Sequence, residues 1–178
     1  MKAILAGGMF LLLFFTLQPA VAQDVLKAEQ PPSIMKYLIG QAPEYSVMVK
    51  ALNTSGLDEN FSGPGPITLF APRNKAFDVL PAGTVDNWLK PEQKDSLKKI
   101  LTYHAVAGNW PLKDLEQQIK ASGGEFFLAT LGEGGRVSFV LVGGKVAIKD
   151  KQGFKTVLET PAAAPNGMIY SIDKLLLH

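Results

Sequence analysis

From Gly123-Gly124 onward the sequence is a series of short apolar runs cut by glycine, and this texture limits the fold more than any other feature. Such runs are too short for ordinary helices and are rich in β-branched and aromatic residues. Residues 126–131, 137–142, 146–148, 154–158 and 168–172 are therefore predicted as strands. Gly143-Gly144 supplies the two positive-φ residues of a tight hairpin turn, and Gly134-Gly135 and Gln152-Gly153 punctuate the other runs.

The first half has helical spacing instead. Ser33 is placed to cap a short helix carrying Ile34, Tyr37 and Leu38; a second follows Pro43 with Tyr45, Met48, Val49 and Leu52 on one face and stops at Gly56. Ser62-Gly63-Pro64-Gly65-Pro66 is a turn, and Ile67-Thr68-Leu69-Phe70 has the character of a buried strand. Asn74 is placed to cap a helical turn that carries Phe77 and Leu80, and Val85-Trp88-Leu89 suggests another. Pro91 opens a longer helix on which Leu97, Ile100, Leu101 and His104 share a face, and Leu112, Leu115 and Ile119 define a last one. Helices concentrated in the N-terminal half and strands in the second imply an α+β fold, with the strand at 67–70 expected to return to the sheet of the later strands.

Residues 1–22 carry a separate message. Met1-Lys2 is followed by an uncharged apolar stretch through Leu17, then Pro19 and the small-x-small run Ala20-Val21-Ala22. This is the pattern of a secretory signal, cleaved after Ala22 to leave Gln23 first. A retained anchor is the alternative, but the stretch is shorter than the roughly 20 residues a spanning helix needs. Residues 23–32 end in Pro31-Pro32 and read as an extended lead-in to a domain over 33–178. No second hydrophobic segment follows, so no stable membrane insertion is expected after cleavage and the product is expected to be periplasmic or extracellular.

The chain has no cysteine, which excludes disulfides, thiolate metal sites and cysteine nucleophiles, so packing alone must hold the domain. Removing Lys2 from the 18 Lys+Arg leaves one more base than the 16 Asp+Glu, which gives no electrostatic case for a nucleic-acid partner. No serine stands on a nucleophile elbow and no phosphate-binding loop is present. Gly132-Glu133-Gly134-Gly135 resembles a dinucleotide fingerprint only loosely and lies between strands rather than at a helix N-terminus. With only His104 and His178 as histidines, a metal site would have to rest on carboxylates, and Glu92, Asp95, Asp114 and Glu116 belong to polar helix faces. Lys94, Lys98 and Lys99 form the densest basic group, offset by Glu92 and Asp95. No catalytic residue, metal ligand or cofactor is indicated. Asn53-Thr54-Ser55 and Asn60-Phe61-Ser62 fit the N-glycosylation acceptor rule.

Three stretches together resemble a fasciclin-type (FAS1) domain: Thr68-Leu69-Phe70-Ala71-Pro72-Arg73-Asn74-Lys75-Ala76-Phe77, Ile100-Leu101-Thr102-Tyr103-His104-Ala105-Val106, and Asn166-Gly167-Met168-Ile169-Tyr170-Ser171-Ile172-Asp173-Lys174-Leu175-Leu176. The resemblance implies a FAS1-like fold, a mixed β-sheet wedge with helices, and a family of exported or surface proteins used in adhesion and matrix attachment. It also associates the Tyr103-His104 pair with adhesion. The residues themselves allow two readings. In one, His104 ends an apolar helix face and bonds a buried partner, Asn74 or a nearby carbonyl, while Tyr103 packs its ring. In the other, the pair forms a recognition surface with Leu101 and Val106. Asn74, Phe77, Asn166 and Gly167 read as folding devices, the last two as a tight turn into the final strand. Arg73 and Lys75 stand where the family often has a small polar residue and an acid, Ala105 where a branched residue is usual, and Tyr170 where histidine is common. A more basic loop at Arg73 and Lys75 implies preference for an acidic partner.

These readings converge on an exported, non-enzymatic adhesion or interaction module for a surface or matrix protein or polysaccharide. Carriage of an apolar small molecule such as a carotenoid is the second expectation, and an enzyme the third.

Overall fold

The computed structural model describes residues 33–177; the expected signal peptide and the lead-in at 23–32 lie outside them. Ser33 caps α1 (Ile34–Gly40), its hydroxyl accepting from the Lys36 amide at 3.4 Å. Helix α2 (Ala42–Ser55) has Pro43 in its first turn and ends at Gly56 with φ 73°. Then come α3 (Asp58–Ser62), β1 (Ile67–Pro72), α4 (Asn74–Asp78), α5 (Thr84–Trp88) and a 3-10 turn at Pro91–Gln93 that leads into α6 (Lys94–Tyr103). After β2 (Ala105–Ala107) and α7 (Leu112–Ala121) the chain turns to strand: β3 (Glu125–Ala129), β4 (Arg136–Val142), β5 (Lys145–Lys149), β6 (Lys155–Val157), β7 (Ala162–Ala164) and β8 (Gly167–Ile172).

The described residues are α+β, as the sequence predicts, but their strands form two sheets rather than one. A mixed sheet has the order β2-β1-β8-β7, and an antiparallel meander has the order β3-β4-β5-β6. Strand β1 therefore does not join the meander; it pairs in parallel with β8, Phe70 opposite Tyr170, and antiparallel with β2. Its near-continuous apolar run has a physical reason, since both faces of the mixed sheet are covered. Leu69, Ala71 and Ile169 point into a core with Leu38, Met48, Leu52, Phe61 and Leu101 from the helices. Phe70, Tyr170 and Ile172 point the other way, into a second core with Val137, Phe139, Ile148, Leu115 and Ile119.

An aromatic stack seals this wedge between the sheets. The Phe70 ring lies 5.6 Å from Tyr170 at 17° and 5.6 Å from Phe139 at 44°, separations that favour aromatic pairs. Truncating a fully buried ring such as Phe70 costs about 3–5 kcal/mol.

Asn166 and Gly167 close the fold at one end. The buried Asn166 accepts the Ile34 amide at 2.9 Å and donates to the Phe61 and Gly63 carbonyls, each at 2.9 Å, so one side chain ties the start of α1 to the end of α3. Gly167 has φ 151°, and a Cβ there would lie 1.8 Å from the Ile67 carbonyl oxygen, so only glycine lets β8 approach β1 this closely. Phe77 is buried in a third cluster with Ala76 and Leu175. Asn74 is a correction. Arg73 occupies the N-cap position of α4 and no side chain caps that helix. The Asn74 amide instead reaches α2, where Tyr45 departs from helical geometry: Oδ1 accepts from the Val47 amide and Nδ2 donates to the Pro43 carbonyl, both at 3.0 Å.

Candidate functional site

Three places concern recognition: the α6–β2 junction, the corner of Arg73 and Lys75, and the outer face of the meander sheet.

At the junction, Tyr103 and His104 are both buried, at 3% and 0% exposure. His104 Nδ1 lies 2.8 Å from the Ile100 carbonyl, and its Nε2 accepts the Leu176 amide at 2.9 Å. A carbonyl can only accept and an amide can only donate, so these two bonds select the neutral tautomer protonated on Nδ1. The ring thereby fastens the segment after β8 to the end of α6. Its partner is a nearby carbonyl, one of the two alternatives the sequence left open, and not Asn74. Tyr103 donates its hydroxyl to the Arg136 carbonyl at 3.0 Å, joining α6 to β4. Burial raises the phenol's pKa; the Lys151 backbone amide partly opposes this, and the Asp150 carboxylate adds to it.

At the corner, Arg73 Nε pairs with Glu44 at 3.0 Å and its Nη1 with Asp173 at 3.4 Å, while Lys75 Nζ pairs with the other Asp173 oxygen at 2.8 Å. Two bases face two acids here. The Lys75 side chain remains 59% exposed, and that of Arg73 is 29% exposed.

The meander alternates strictly. Val137, Phe139, Val146 and Ile148 face the core, so Phe127, Arg136, Ser138, Val140, Val142, Lys145, Ala147, Lys149, Lys155 and Val157 share the outer face. Lys149 pairs with Glu125 across β4 at 2.6 Å. That bond, with further support from Ser138, pulls the Glu125 carboxyl below its usual range. The Arg136 guanidinium sits 5.4 Å from the centre of the Phe127 ring, whose residue is 49% exposed. A depression of about 570 Å3 opens here over Tyr103, lined also by Glu125, Arg136, Lys149 and Lys151. A second, of about 700 Å3, lies on the α6 side with Lys98, Lys99 and Thr102 on its wall. Between them runs the loop of Gly132-Glu133-Gly134-Gly135, pressed so tightly that a Cβ on Gly135 would lie 2.2 Å from the Thr130 hydroxyl. Gly132 is also tightly placed, since a Cβ there would lie 2.9 Å from the Thr102 hydroxyl, whereas Gly134 has open space and a φ of 67° that suits the turn.

None of the outer-face residues was singled out from sequence. The signal existed: a Gly143-Gly144 hairpin with φ of 56° and 79° fixes the register that puts Lys145 and Lys149 on one face with Val140 and Val142. Among the described residues no helix is long and apolar enough to cross a membrane.

Comparison with known proteins follows the same lines. The fasciclin domain model matches residues 43–178. Protein sll1483 of Synechocystis sp. is 41% identical over 133 residues, 75% of this chain and 67% of that protein. The transforming growth factor-beta-induced protein ig-h3 of Sus scrofa is 31% identical over 153 residues, which are 82% of this chain but only 20% of ig-h3. Among solved structures, a FAS1 domain pair from the insect cell adhesion molecule Fasciclin I superposes with a TM-score of 0.70 at 20% identity, over 84% of this chain and 52% of that one, which shows the shared fold. The chain belongs to the fasciclin-domain family.

Proposed function

We infer that the protein is an exported, non-enzymatic adhesion or interaction module that holds a cell-surface or matrix protein or polysaccharide through an exposed face of its fasciclin domain. Residues 1–22 supply the export signal, and the fold is shared with a protein described as an insect cell adhesion molecule. The outer face of the meander sheet is the observation that carries this reading. It combines exposed Phe127 with several cations on one antiparallel sheet. Tyr103 supports that face through the Arg136 carbonyl and lines the depression beside it, while the buried His104 holds the segment after β8 to the end of α6. The corner of Arg73 and Lys75 is balanced by Glu44 and Asp173, so a preference for an acidic partner is better placed on the meander.

The test is retention of native cells or envelope fragments by beads coated with the protein, with the absorption spectrum of the purified protein recorded alongside. Retention above uncoated beads supports adhesion. A colourless protein that takes up no added carotenoid removes the carrier reading, which the charged lining of both depressions already disfavours. A visible absorption band with no retention would reverse the order of the two.

A further inference from the structure

We propose that the outer face of the meander sheet binds an acidic polysaccharide, a chain of sugar rings bearing carboxylates, across β3, β4, β5 and β6; this rests on the adhesion reading and gives it a site and a partner chemistry.

The first support is charge. Arg136, Lys145, Lys149 and Lys155 project from the strands on this face against Glu125 alone, and Glu125 is already taken by Lys149. Arg136 and Lys155 make no ion pair among the described residues. Two further acids stand nearby. Asp150 is buried, its oxygens accepting the Phe154 amide at 2.9 Å and the Leu177 amide at 3.5 Å, and Glu133 stands on the loop at the rim of the depression.

The second support is a cost in the fold. Lys149 and Lys155 are directly opposite on neighbouring antiparallel strands, where like charges destabilise a sheet. Glu125 offsets part of that cost from β3, pairing with Lys149 and attracted also by Lys155, but a single carboxylate leaves the row net positive, and an anion lying over both lysines would take up the remainder.

The third is the distribution of apolar surface. Val157 and Val142 are 39% and 38% exposed, and between them Val140 is half-buried and Ala147 fully buried, so the exposed apolar strip is narrow and bordered by cations. A stable protein interface buries of the order of 800 Å2 per side around an apolar core, which this narrow strip does not supply. A sugar chain needs less, since each ring offers a small apolar face and its carboxylate reaches sideways. Phe127 gives one flat plate for a ring, and the guanidinium it steadies presents a planar fork suited to a carboxylate. The depression of about 570 Å3 beside them has the size of a small-ligand site.

The experiment is titration of the protein, expressed from the full chain, with polygalacturonate, neutral dextran and polyglutamate at two salt concentrations. Binding of polygalacturonate that weakens with salt, with no binding of dextran, is expected. Arg136→Gln with Lys155→Gln should weaken it about tenfold, and Phe127→Ala should weaken it without changing the salt dependence. Unchanged thermal melting identifies the variants as folded, and Lys75→Gln serves as the control that leaves binding intact. Equal binding by the double variant overturns the site, and polyglutamate binding as tightly as polygalacturonate overturns the saccharide in favour of an acidic protein. If coated beads retain native cells but polygalacturonate does not bind, only this proposal fails; if the beads retain nothing, the adhesion reading fails first.

Discussion

The Asn74 amide stands between Val47 and Pro43, completing a helix to which Asn74 does not belong. In a regular helix the Val47 amide would bond the Pro43 carbonyl directly; at the kink marked by Tyr45 the two are joined through Asn74, by bonds of 3.0 Å on each side. Asn74→Ala leaves both groups without their partner and is expected to destabilise the domain by about 1–3 kcal/mol in chemical denaturation, with faster hydrogen exchange at the Val47 amide. Asn74→Asp should do as badly, because a carboxylate cannot donate to the Pro43 carbonyl.

Gly167→Ala is predicted to be the most damaging of these changes. A Cβ 1.8 Å from the Ile67 carbonyl oxygen must push β8 away from β1, and at φ 151° the backbone itself resists a side chain. The expected result is loss of soluble folded protein, read by yield and circular dichroism. A variant that melts within a few degrees of the parent would contradict the geometry.

His104→Ala is expected to free the segment after β8, since the Leu176 amide loses its acceptor at Nε2. Hydrogen exchange should rise at Leu176 before the rest of the domain opens, with a loss of about 1–3 kcal/mol for a buried group left unpaired. Any loss of adhesion should then follow the unfolded fraction across temperature; adhesion lost in a variant still fully folded would point to direct contact by the ring.

Two groups set opposite pH dependences. Tyr170 is buried and donates to the Trp110 carbonyl at 2.8 Å; burial, with a smaller effect of Asp114, pushes its pKa up to about 12. A raised folded pKa stabilises below the unfolded value, and the contribution is lost as pH rises from the ordinary 10.0 toward about 12, so Tyr170→Phe should flatten the alkaline end of a stability curve. Glu125 has the opposite sign. Its lowered pKa stabilises above the ordinary carboxylate value of 4.5 and is lost as pH falls through the folded value. With the side chain 34% exposed the effect is below about 1 kcal/mol, seen as convergence of Glu125→Gln with the parent in acid.

Much of this fold was legible because its periodicities are clean. The α6 face through Leu97 and Leu101, the Gly143-Gly144 hairpin and the buried strand at 67–70 all have local causes. Two strands were missed for equally local reasons. Ala105–Ala107 follows a helical face without a break, and Ala162–Ala164 has neither branched nor aromatic residues between its prolines. The split into two sheets was not legible, because pairing between strands far apart in sequence leaves no mark on periodicity. The same holds for Asn74, whose partners on α2 lie 27 to 31 residues away. At the recognition face, the alternation that orients Lys145 and Lys149 could be read once the hairpin was accepted, but Phe127 and Arg136 come together only through the β3–β4 register.

The central claim is that this domain adheres through the meander face, with Tyr103 as its support. It is tested most directly by one cell-retention measurement on beads carrying the parent protein, the Arg136→Glu and Lys155→Glu double variant, or Lys75→Glu, each shown to be folded by its melting curve. The account predicts retention by the parent and by Lys75→Glu and its loss in the double variant. Retention by the double variant together with loss in Lys75→Glu would contradict it and move recognition to the corner of Arg73, Lys75 and Asp173.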